Sequence, residues 1–329
     1  MIYSLKSNLK KEMYDFLTLR KSTMSKSCYD HDYQTLKDFD NYLYNAKCFD
    51  KITENLILGW IENLKGKSST IANKVIIIKK FLEFIRGYDI EVFLPEIPRI
   101  HDDYEPYIFS DGEIEQLFHY ADRLEKFVRA RKNHLLHIEM PMILRLMYGC
   151  GLRIGETLLL QMKDVDTDAG ILTMRKTKGN KHRFVPMHPS LNVILRDYCL
   201  ALAIVSTPDA FLFPVTEKSS EAVSPQNAGH KFDYIIENKI AINYKRKKHE
   251  RGPCLHCLRH IFVFKSFKQS ESMDVRIDDM VPFLSLYLGH NSLKETEKYL
   301  KFSSHLYPEA MELFENFVQD TFPEVTYEK

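Results

Sequence analysis

The sequence predicts a mainly α-helical protein with a small antiparallel β-sheet, divided into two domains. Three observations favour this fold class. Apolar residues recur at three- and four-residue spacing through the first hundred residues. Three prolines between residues 95 and 106 disfavour helix there, and residues 170–187 have the pattern of a basic β-hairpin. A chain of 329 residues is long enough for each domain to bury its own core.

The first domain is expected to cover residues 1–98. Helices are predicted over four segments: 4–19, 29–46, 53–65 and 69–87. Ser69 or Thr70 is the candidate cap of the last helix. On these residues alone, a plain helical bundle without a partner would be the preferred interpretation.

Residues 99–108 are predicted to form an extended linker, and a second domain is expected over 109–329. The first helix of this domain should start at Ser110, because Ser110 and Glu113 have the spacing of a capping box. Near the C-terminus, residues 308–319 have the apolar and acidic spacing of a tail helix.

An apolar stretch over 139–149 is expected to be helical and to end at a Gly-Cys-Gly sequence. Arg153 follows at the predicted start of the next helix, which should run on to Gln161 and whose dipole favours a bound anion. Glu156, one turn further on, is expected to hold the Arg153 guanidinium. A surface arginine paired with that glutamate is the simpler alternative, which the flanking glycines disfavour.

Six dispersed residues have side chains suited to cutting a phosphodiester. Two guanidiniums can grip the non-bridging oxygens of one phosphate, because each offers paired planar donors and stays charged at any working pH. A lysine and two histidines can move protons, and a tyrosine can attack phosphorus. The six are Arg153, Lys178, His256, Arg259, His290 and Tyr299.

These residues resemble the motifs of the tyrosine recombinases, also called the phage integrase family. Arg153 lies in Gly-Leu-Arg-Ile-Gly-Glu, His256 and Arg259 form His-x-x-Arg, and His290 lies in Leu-Gly-His. The order of the six residues follows the family pattern, and Tyr299 follows His290 by the nine positions that the family favours. The resemblance covers nearly the whole chain.

The resemblance implies a helical core-binding domain of SAM-like fold and a mixed α/β catalytic domain that close around double-stranded DNA. It also implies a tetramer on DNA, built by exchange of the terminal helix at 308–319, and an accessory DNA-bending or directionality factor as a further partner. The expected function is a site-specific recombinase that integrates or excises a mobile element.

The family also supplies a role for each residue. Tyr299 would attack the phosphate and form a 3′-phosphotyrosyl link, so that rejoining requires no ATP. The two arginines would stabilise charge on the phosphate oxygens, and Lys178 would protonate the leaving 5′ oxygen, with Lys176 and Lys181 as close competitors for that role. His256 would assist proton transfer at the tyrosine. His290 would hydrogen-bond the phosphate or orient its neighbours.

Several alternatives remain open at this point. Tyr287 and Tyr307 are less well placed candidates for the nucleophile. A catalytically lapsed DNA-binding protein or a type IB topoisomerase would share much of the motif set. Within the recombinases, the polar stretch 269–279 and the sequence 282–290 slightly favour a mobile-element enzyme over one that resolves chromosome dimers.

Basic side chains outside the catalytic set are candidate contacts to the DNA backbone. They fall on the predicted fourth helix, in the hairpin 170–187 and in the most basic run of the chain, 245–251. Solvated lysines are common at such positions, so each is a hypothesis. The candidates are Lys74, Lys79, Lys80, Arg175, Lys176, Lys181, Arg183, Lys245, Arg246, Lys247 and Lys248.

Composition sets looser bounds. The formal net charge of +1 does not by itself indicate nucleic acid, so a DNA site must come from local clusters. Cys254 and Cys257 form one Cys-x-x-Cys pair, but the other cysteines supply no second pair for zinc, so neither a metal nor a cofactor is expected. The N-terminus lacks the pattern of a signal peptide, and a cytoplasmic, nucleoid-associated bacterial protein is expected.

Overall fold

The computed structural model describes residues 5–47, 51–88, 90–100, 106–125, 135–175, 182–201, 207–216, 219–240, 242 and 252–302. The chain divides into two compact units, Met1–Tyr104 and Glu105–Lys329. The predicted fold class is confirmed, because helices dominate and the single sheet of the described residues has three antiparallel strands. No helix in the described residues is long and apolar enough to cross a membrane.

The described residues of the first unit form four α-helices: α1 (Lys10–Thr23), α2 (Lys26–Asn45), α3 (Glu54–Glu62) and α4 (Ser68–Ile85). Their apolar faces enclose a core centred on Phe39, Ile57 and Phe81, each fully buried. A 3₁₀ turn, Arg86–Tyr88, follows α4. The number of helices matches the prediction.

The start of the first helix and the cap of the fourth helix differ from the prediction. The first helix starts at Lys10 instead of residue 4, because the carboxylate of Asp40 accepts the backbone N–H groups of Lys6 and Ser7 at 2.7 and 2.9 Å. The fourth helix is preceded by Lys67 and has no side-chain cap, so the expected cap at Ser69 or Thr70 is wrong. Both predicted cap residues lie inside the helix.

The second unit contains eight helices among its described residues. They are α5 (Asp111–Ala121), α6 (Leu136–Cys150), α7 (Ile154–Leu158), α8 (Pro189–Ala201), α9 (Pro225–Ile235), α10 (Leu255–Ser272), α11 (Ile277–Leu288) and α12 (Leu293–Glu297). Short turns lie at Met162–Asp164, Ile236–Ile240 and Lys298–Phe302. Helices α6 and α10 pack together at the centre of its larger core.

Local capping sets two of these helices. The capping box of Ser110 and Glu113 is present at the start of α5, as predicted. Helix α6 ends at Gly151, which adopts the left-handed conformation with φ 60° and lies against the ring of Phe262. Helix α7 ends at Leu158, short of the predicted Gln161.

The predicted hairpin is present as β2 (Ile171–Met174) and β3 (Arg183–Pro186), paired antiparallel with Thr173 opposite Phe184. A two-residue strand that the sequence analysis missed, β1 (Val165–Asp166), pairs with the other edge of β2. The turn of the hairpin lies outside the described residues. The stretch 269–279 forms the end of α10, a short connection and the start of α11.

Candidate active site

The second unit brings five of the six predicted catalytic residues to one region. Arg153 precedes α7, whereas His256 and Arg259 lie in the first turns of α10. His290 follows the end of α11, and Tyr299 lies in the 3₁₀ turn after α12. The sixth, Lys178, lies outside the described residues.

Arg259 is the most buried of these residues, with 1% of its surface exposed. Its Nη1 donates to the carbonyl of Gly151 at 2.6 Å, and its Nη2 donates to the carbonyl of Leu288 at 3.0 Å. The same Nη2 lies 2.9 Å from Nε2 of His290. Burial and then the charge of Arg153 lower the pKa of Arg259 from its high ordinary value. The guanidinium is therefore fixed by backbone groups from two elements.

Arg153 is more accessible, with 29% of its side chain exposed. Its Nη1 donates to Oε1 of Glu156 at 3.0 Å and to the carbonyl of Leu288 at 3.4 Å. The predicted contact between Glu156 and Arg153 is confirmed. Because Leu288 accepts from both Arg153 and Arg259, one carbonyl holds the two guanidiniums side by side, as gripping a single phosphate requires.

Glu156 also binds a third arginine, which the sequence analysis assigned to the DNA surface. Arg183 donates from Nη1 and Nη2 to the two oxygens of Glu156 at 3.2 and 2.9 Å, and only 8% of its side chain is exposed. The structure thus shows Arg183, a predicted DNA contact, engaged with Glu156 inside the protein. Strand alternation was the available signal, because Arg183 and the buried Val185 point to the same face of β3.

His290 lies between Arg259 and Thr296. Its Nδ1 is 2.6 Å from Oγ1 of Thr296, a fully buried side chain that the sequence analysis did not identify. Burial, followed by the charges of the surrounding arginines beginning with Arg259, lowers the pKa of His290 to about 3. The ring is thus neutral at physiological pH.

Tyr299 packs against two histidine rings and is 7% exposed. Its ring lies parallel to that of His290, with centroids 6.2 Å apart, and 5.2 Å from the ring of His260. His260 in turn contacts the exposed ring of His256 at 4.8 Å. His260, which sequence reasoning missed, thus lies between His256 and the tyrosine in this row of rings.

The rival tyrosines are placed differently. Burial, followed by the neighbouring Cys150, raises the pKa of Tyr287, and its hydroxyl lies 3.3 Å from the carbonyl of Pro186. Its ring stacks on Phe262. Tyr287 is thus built into the packing between α11 and the sheet. Tyr307 lies outside the described residues.

The other candidate DNA contacts vary in their surroundings. Lys80 is exposed and Lys79 half-buried, whereas Lys74 pairs with Asp38 at 3.4 Å. Arg175 donates from Nε to the buried carboxylate of Asp164 at 2.5 Å. The remaining candidates lie outside the described residues: Lys176, Lys181, Lys245, Arg246, Lys247 and Lys248. The predicted tail helix 308–319 also lies outside them.

The pair of cysteines beside His256 has its sulfur atoms 3.6 Å apart. Within the part of the chain that the structure describes, no three His, Cys, Asp or Glu side chains are grouped to hold a metal ion.

Comparison with known proteins identifies integrases and recombinases as relatives. Residues 112–305 match the sequence profile of the phage integrase family. A putative integrase/recombinase of Sinorhizobium fredii is 30% identical over 298 residues, which cover 87% of this chain and 90% of that protein. The tyrosine recombinase XerC of Staphylococcus haemolyticus is 25% identical, over 85% of this chain and 86% of XerC.

Solved structures share the fold at lower identity. The XerH site-specific recombinase bound to a palindromic difH substrate superimposes with a TM-score of 0.65 at 17% identity, over 95% of this chain and 91% of XerH. A lambda integrase dimer bound to a COC′ core site also has a TM-score of 0.65, at 13% identity, over 88% of this chain and 94% of the integrase. Both have the two-domain architecture described above.

Proposed function

Because this chain belongs to the phage integrase family of tyrosine recombinases, we propose that it cuts and rejoins DNA strands through a 3′-phosphotyrosyl link to Tyr299. The observation that carries this proposal is the row Arg259, His290 and Tyr299. It places the ring of Tyr299, which carries the hydroxyl, near the buried guanidinium of Arg259, beside which lies the guanidinium of Arg153.

The reaction would exchange one phosphodiester for another. The Tyr299 oxygen attacks phosphorus and the bond from phosphorus to the 5′ oxygen breaks, which conserves the ester energy for rejoining. Arg153 and Arg259 stabilise the charge that builds on the non-bridging oxygens. Lys178 supplies a proton to the leaving 5′ oxygen, and His256 assists proton transfer at Tyr299.

The DNA partner is inferred from the family and from the chemistry of the site. We propose that residues 1–98 of the first unit form a domain that contacts the DNA backbone through the exposed Lys80 and its neighbours on α4. The enzyme would act as a tetramer on DNA, with exchange of residues 308–319 between protomers, in the nucleoid of a bacterium. Its proposed substrate is the pair of ends of a mobile element, with an accessory protein setting direction.

A nicked suicide duplex tests the chemistry. Wild-type protein should form a covalent adduct that survives a denaturing gel, because release of the short 5′ fragment prevents rejoining. Tyr299→Phe should form no adduct while it retains DNA binding, and Tyr287→Phe is the matched control. Wild-type protein that binds the duplex without forming an adduct would indicate the catalytically lapsed alternative.

The biological role needs a second assay. A plasmid carrying both element ends should yield excised circles or integrants with wild-type protein. Resolution of plasmid dimers at a single chromosomal site, without integrants, would favour dimer resolution, and relaxation of supercoils without recombinants would favour a topoisomerase.

A further inference from the structure

The contacts of Arg183 go beyond those that a DNA-binding arginine of a hairpin requires. The side chain joins three elements: its own strand β3, Glu156 of α7 and the last turn of α11, where its Nε donates to the carbonyl of Tyr287 at 2.8 Å. All three nitrogens of the guanidinium are engaged within the protein. An arginine that contacts phosphate would instead direct its paired donors outwards.

The partner of Arg183 is also the partner of the candidate phosphate-binding Arg153. Oε1 of Glu156 accepts from the Arg153 side chain at 3.0 Å and from Arg183 at 3.2 Å, whereas Oε2 accepts from Arg183 at 2.9 Å and from the backbone N–H of Arg153 at 3.1 Å. Only 4% of the Glu156 side chain is exposed. This buried carboxylate accepts two bonds from Arg153 and two from Arg183, and the paired bonds of the Arg183 guanidinium help to fix the plane in which Glu156 meets the Arg153 side chain.

The guanidinium also lies over the backbone just before His290. A Cβ atom built on Gly289 would lie 2.8 Å from Nη1 of Arg183 and 3.1 Å from its Cζ. Arg183 therefore packs on the peptide that joins α11 to His290. Its bond to Tyr287 and this contact restrain the same short segment.

From these contacts we infer that Arg183 is a positioning residue, which acts through Glu156 and the end of α11 to hold Arg153 and His290 in place. Because Arg183 lies on β3, it also ties the hairpin that carries Lys178 in its sequence to the two-arginine site. This inference rests on the proposed function for its catalytic consequence, but its structural part does not.

Electrostatics support the same assignment. Burial acts to raise the pKa of Glu156, but the hydrogen bond and charge of Arg183, and after them those of Arg153, hold that pKa below its usual value. Removal of Arg183 should therefore let Glu156 take up a proton at a higher pH, which a purely space-filling role would not cause.

The test compares Arg183→Gln with Arg145→Gln. Arg145 is a matched control in the same unit, because it also forks onto a carboxylate, Asp122, at 2.7 and 2.8 Å and donates to a backbone carbonyl, that of Pro141. Arg183→Gln should lower the rate of adduct formation on the suicide duplex about 100-fold, the cost of a displaced catalytic group. The acidic limb of the pH–rate profile for adduct formation should move to higher pH in this variant. Arg145→Gln should change neither.

Binding to DNA separates positioning from direct contact. If Arg183 acts by positioning, DNA affinity and its salt dependence should stay at the wild-type values in Arg183→Gln. Loss of a phosphate contact would instead reduce the slope of log affinity against log salt by about 0.9. That reduction, or a wild-type rate of adduct formation, would overturn the inference.

A double-mutant cycle tests the route through Glu156. Arg183→Gln combined with Glu156→Gln should lose no more rate than the more damaging single change, because both remove one unit. Multiplicative losses would show that the two side chains act independently, and the inference would be wrong.

Amide hydrogen exchange decides the structural part without any activity. In Arg183→Gln, protection should fall in β2, in β3 and at the end of α11, and it should remain unchanged in α5. Unaltered protection in all of them would refute the inference. If wild-type protein forms no adduct, the proposed function fails, whereas exchange and salt dependence still decide the role of Arg183. Arg183→Lys serves all comparisons if the glutamine variant does not fold.

Discussion

Arg259 and His290 meet through Nη2 and Nε2, which lie 2.9 Å apart. A guanidinium carries only donors, so Nε2 must be the acceptor in this contact. The proton of the neutral ring is then on Nδ1, which faces Oγ1 of Thr296 at 2.6 Å. In this arrangement Nε2 of His290 orients Arg259 and has no proton to give to a phosphate.

The tautomer leads to a first prediction, on pH. Because the pKa of His290 is lowered to about 3, the ring stays neutral between about pH 5 and pH 9. His290→Gln should lower the rate of adduct formation about 10–100-fold, the value of one hydrogen bond to a charged group. The shape of the pH–rate profile over this range should not change. Single-turnover rates on the suicide duplex measure both, and a limb near pH 6–7 that disappears in the variant would contradict the assignment.

Arg259→Lys is expected to damage both chemistry and folding. A lysine has a single nitrogen and cannot reach both the carbonyl of Gly151 and that of Leu288 with the geometry of the fork. We expect adduct formation to fall about 100–1,000-fold, as for loss of an oxyanion donor. The free energy of unfolding should fall by about 1–3 kcal/mol, because a buried carbonyl loses its partner. Urea denaturation measures the stability of this variant, and Arg196→Lys, at an exposed position, is the control that should show neither effect.

Gly289→Ala is a third test, because the site tolerates no Cβ there. Gly289 has φ 66°, which costs other residues about 1–2 kcal/mol. An added methyl group would also displace the Arg183 guanidinium, 2.8 Å away. We expect the variant to be destabilised by more than this backbone cost and to be slow in adduct formation.

Gly155→Ala is the matched control. Gly155 lies within α7, in the same site, and a Cβ atom added to it would have nothing within 4 Å. This substitution should be neutral or stabilise the protein by up to about 1 kcal/mol, since alanine favours helix. Equal destabilisation by the two alanines in thermal unfolding would argue against a specific role for Gly289.

Glu139 makes the stability of the second unit depend on pH. The side chain is fully buried on α6, and neither carboxylate oxygen has a hydrogen-bond partner among the described residues. Burial raises its pKa from 4.5 to about 8. Between these two values the unfolded chain therefore releases a proton that the folded chain retains. Stability is present in full below the lower value and is lost as pH rises through the higher one.

Glu139→Gln should remove this dependence. The amide resembles the protonated acid, so the variant and the wild type should be equally stable near pH 4.5. Above that pH the variant should gain up to about 1.4 kcal/mol per pH unit relative to wild type. Chemical denaturation at several pH values between 5 and 8 measures the difference, with the exposed Glu115→Gln as a control. A constant difference across this range would show that Glu139 is charged in the folded protein.

Features set by neighbours in sequence were predictable. The capping box at Ser110 and the end of α6 at Gly151 follow from short patterns, and both are present. The pairing of Arg153 with Glu156 depends on a separation of three residues and was also predicted. Such features need no knowledge of the rest of the fold.

Features set by distant residues were not predictable in the same way. Lys6 and Ser7 were expected in a helix, but a carboxylate more than 30 positions away accepts their backbone donors. Arg183 was grouped with exposed cations of the hairpin, since its partner Glu156 lies 27 positions earlier in the chain. A buried and an exposed arginine have the same letter in sequence, and only the fold separates them.

The end of α11 provides neutral hydrogen-bond acceptors for arginines, whereas carboxylates would also cancel the positive charge. The carbonyls of Tyr287 and Leu288 accept hydrogen bonds from three guanidiniums, and the backbone fixes the direction of their dipoles. Among the described side chains in mutual contact there, Glu156 alone carries negative charge, so an excess of two positive charges remains. A phosphodiester carries one negative charge, and attack by a tyrosine oxyanion brings the total to two. In the proposed reaction, the two excess positive charges of these side chains therefore balance the charge of the transition state and exceed that of the bound substrate.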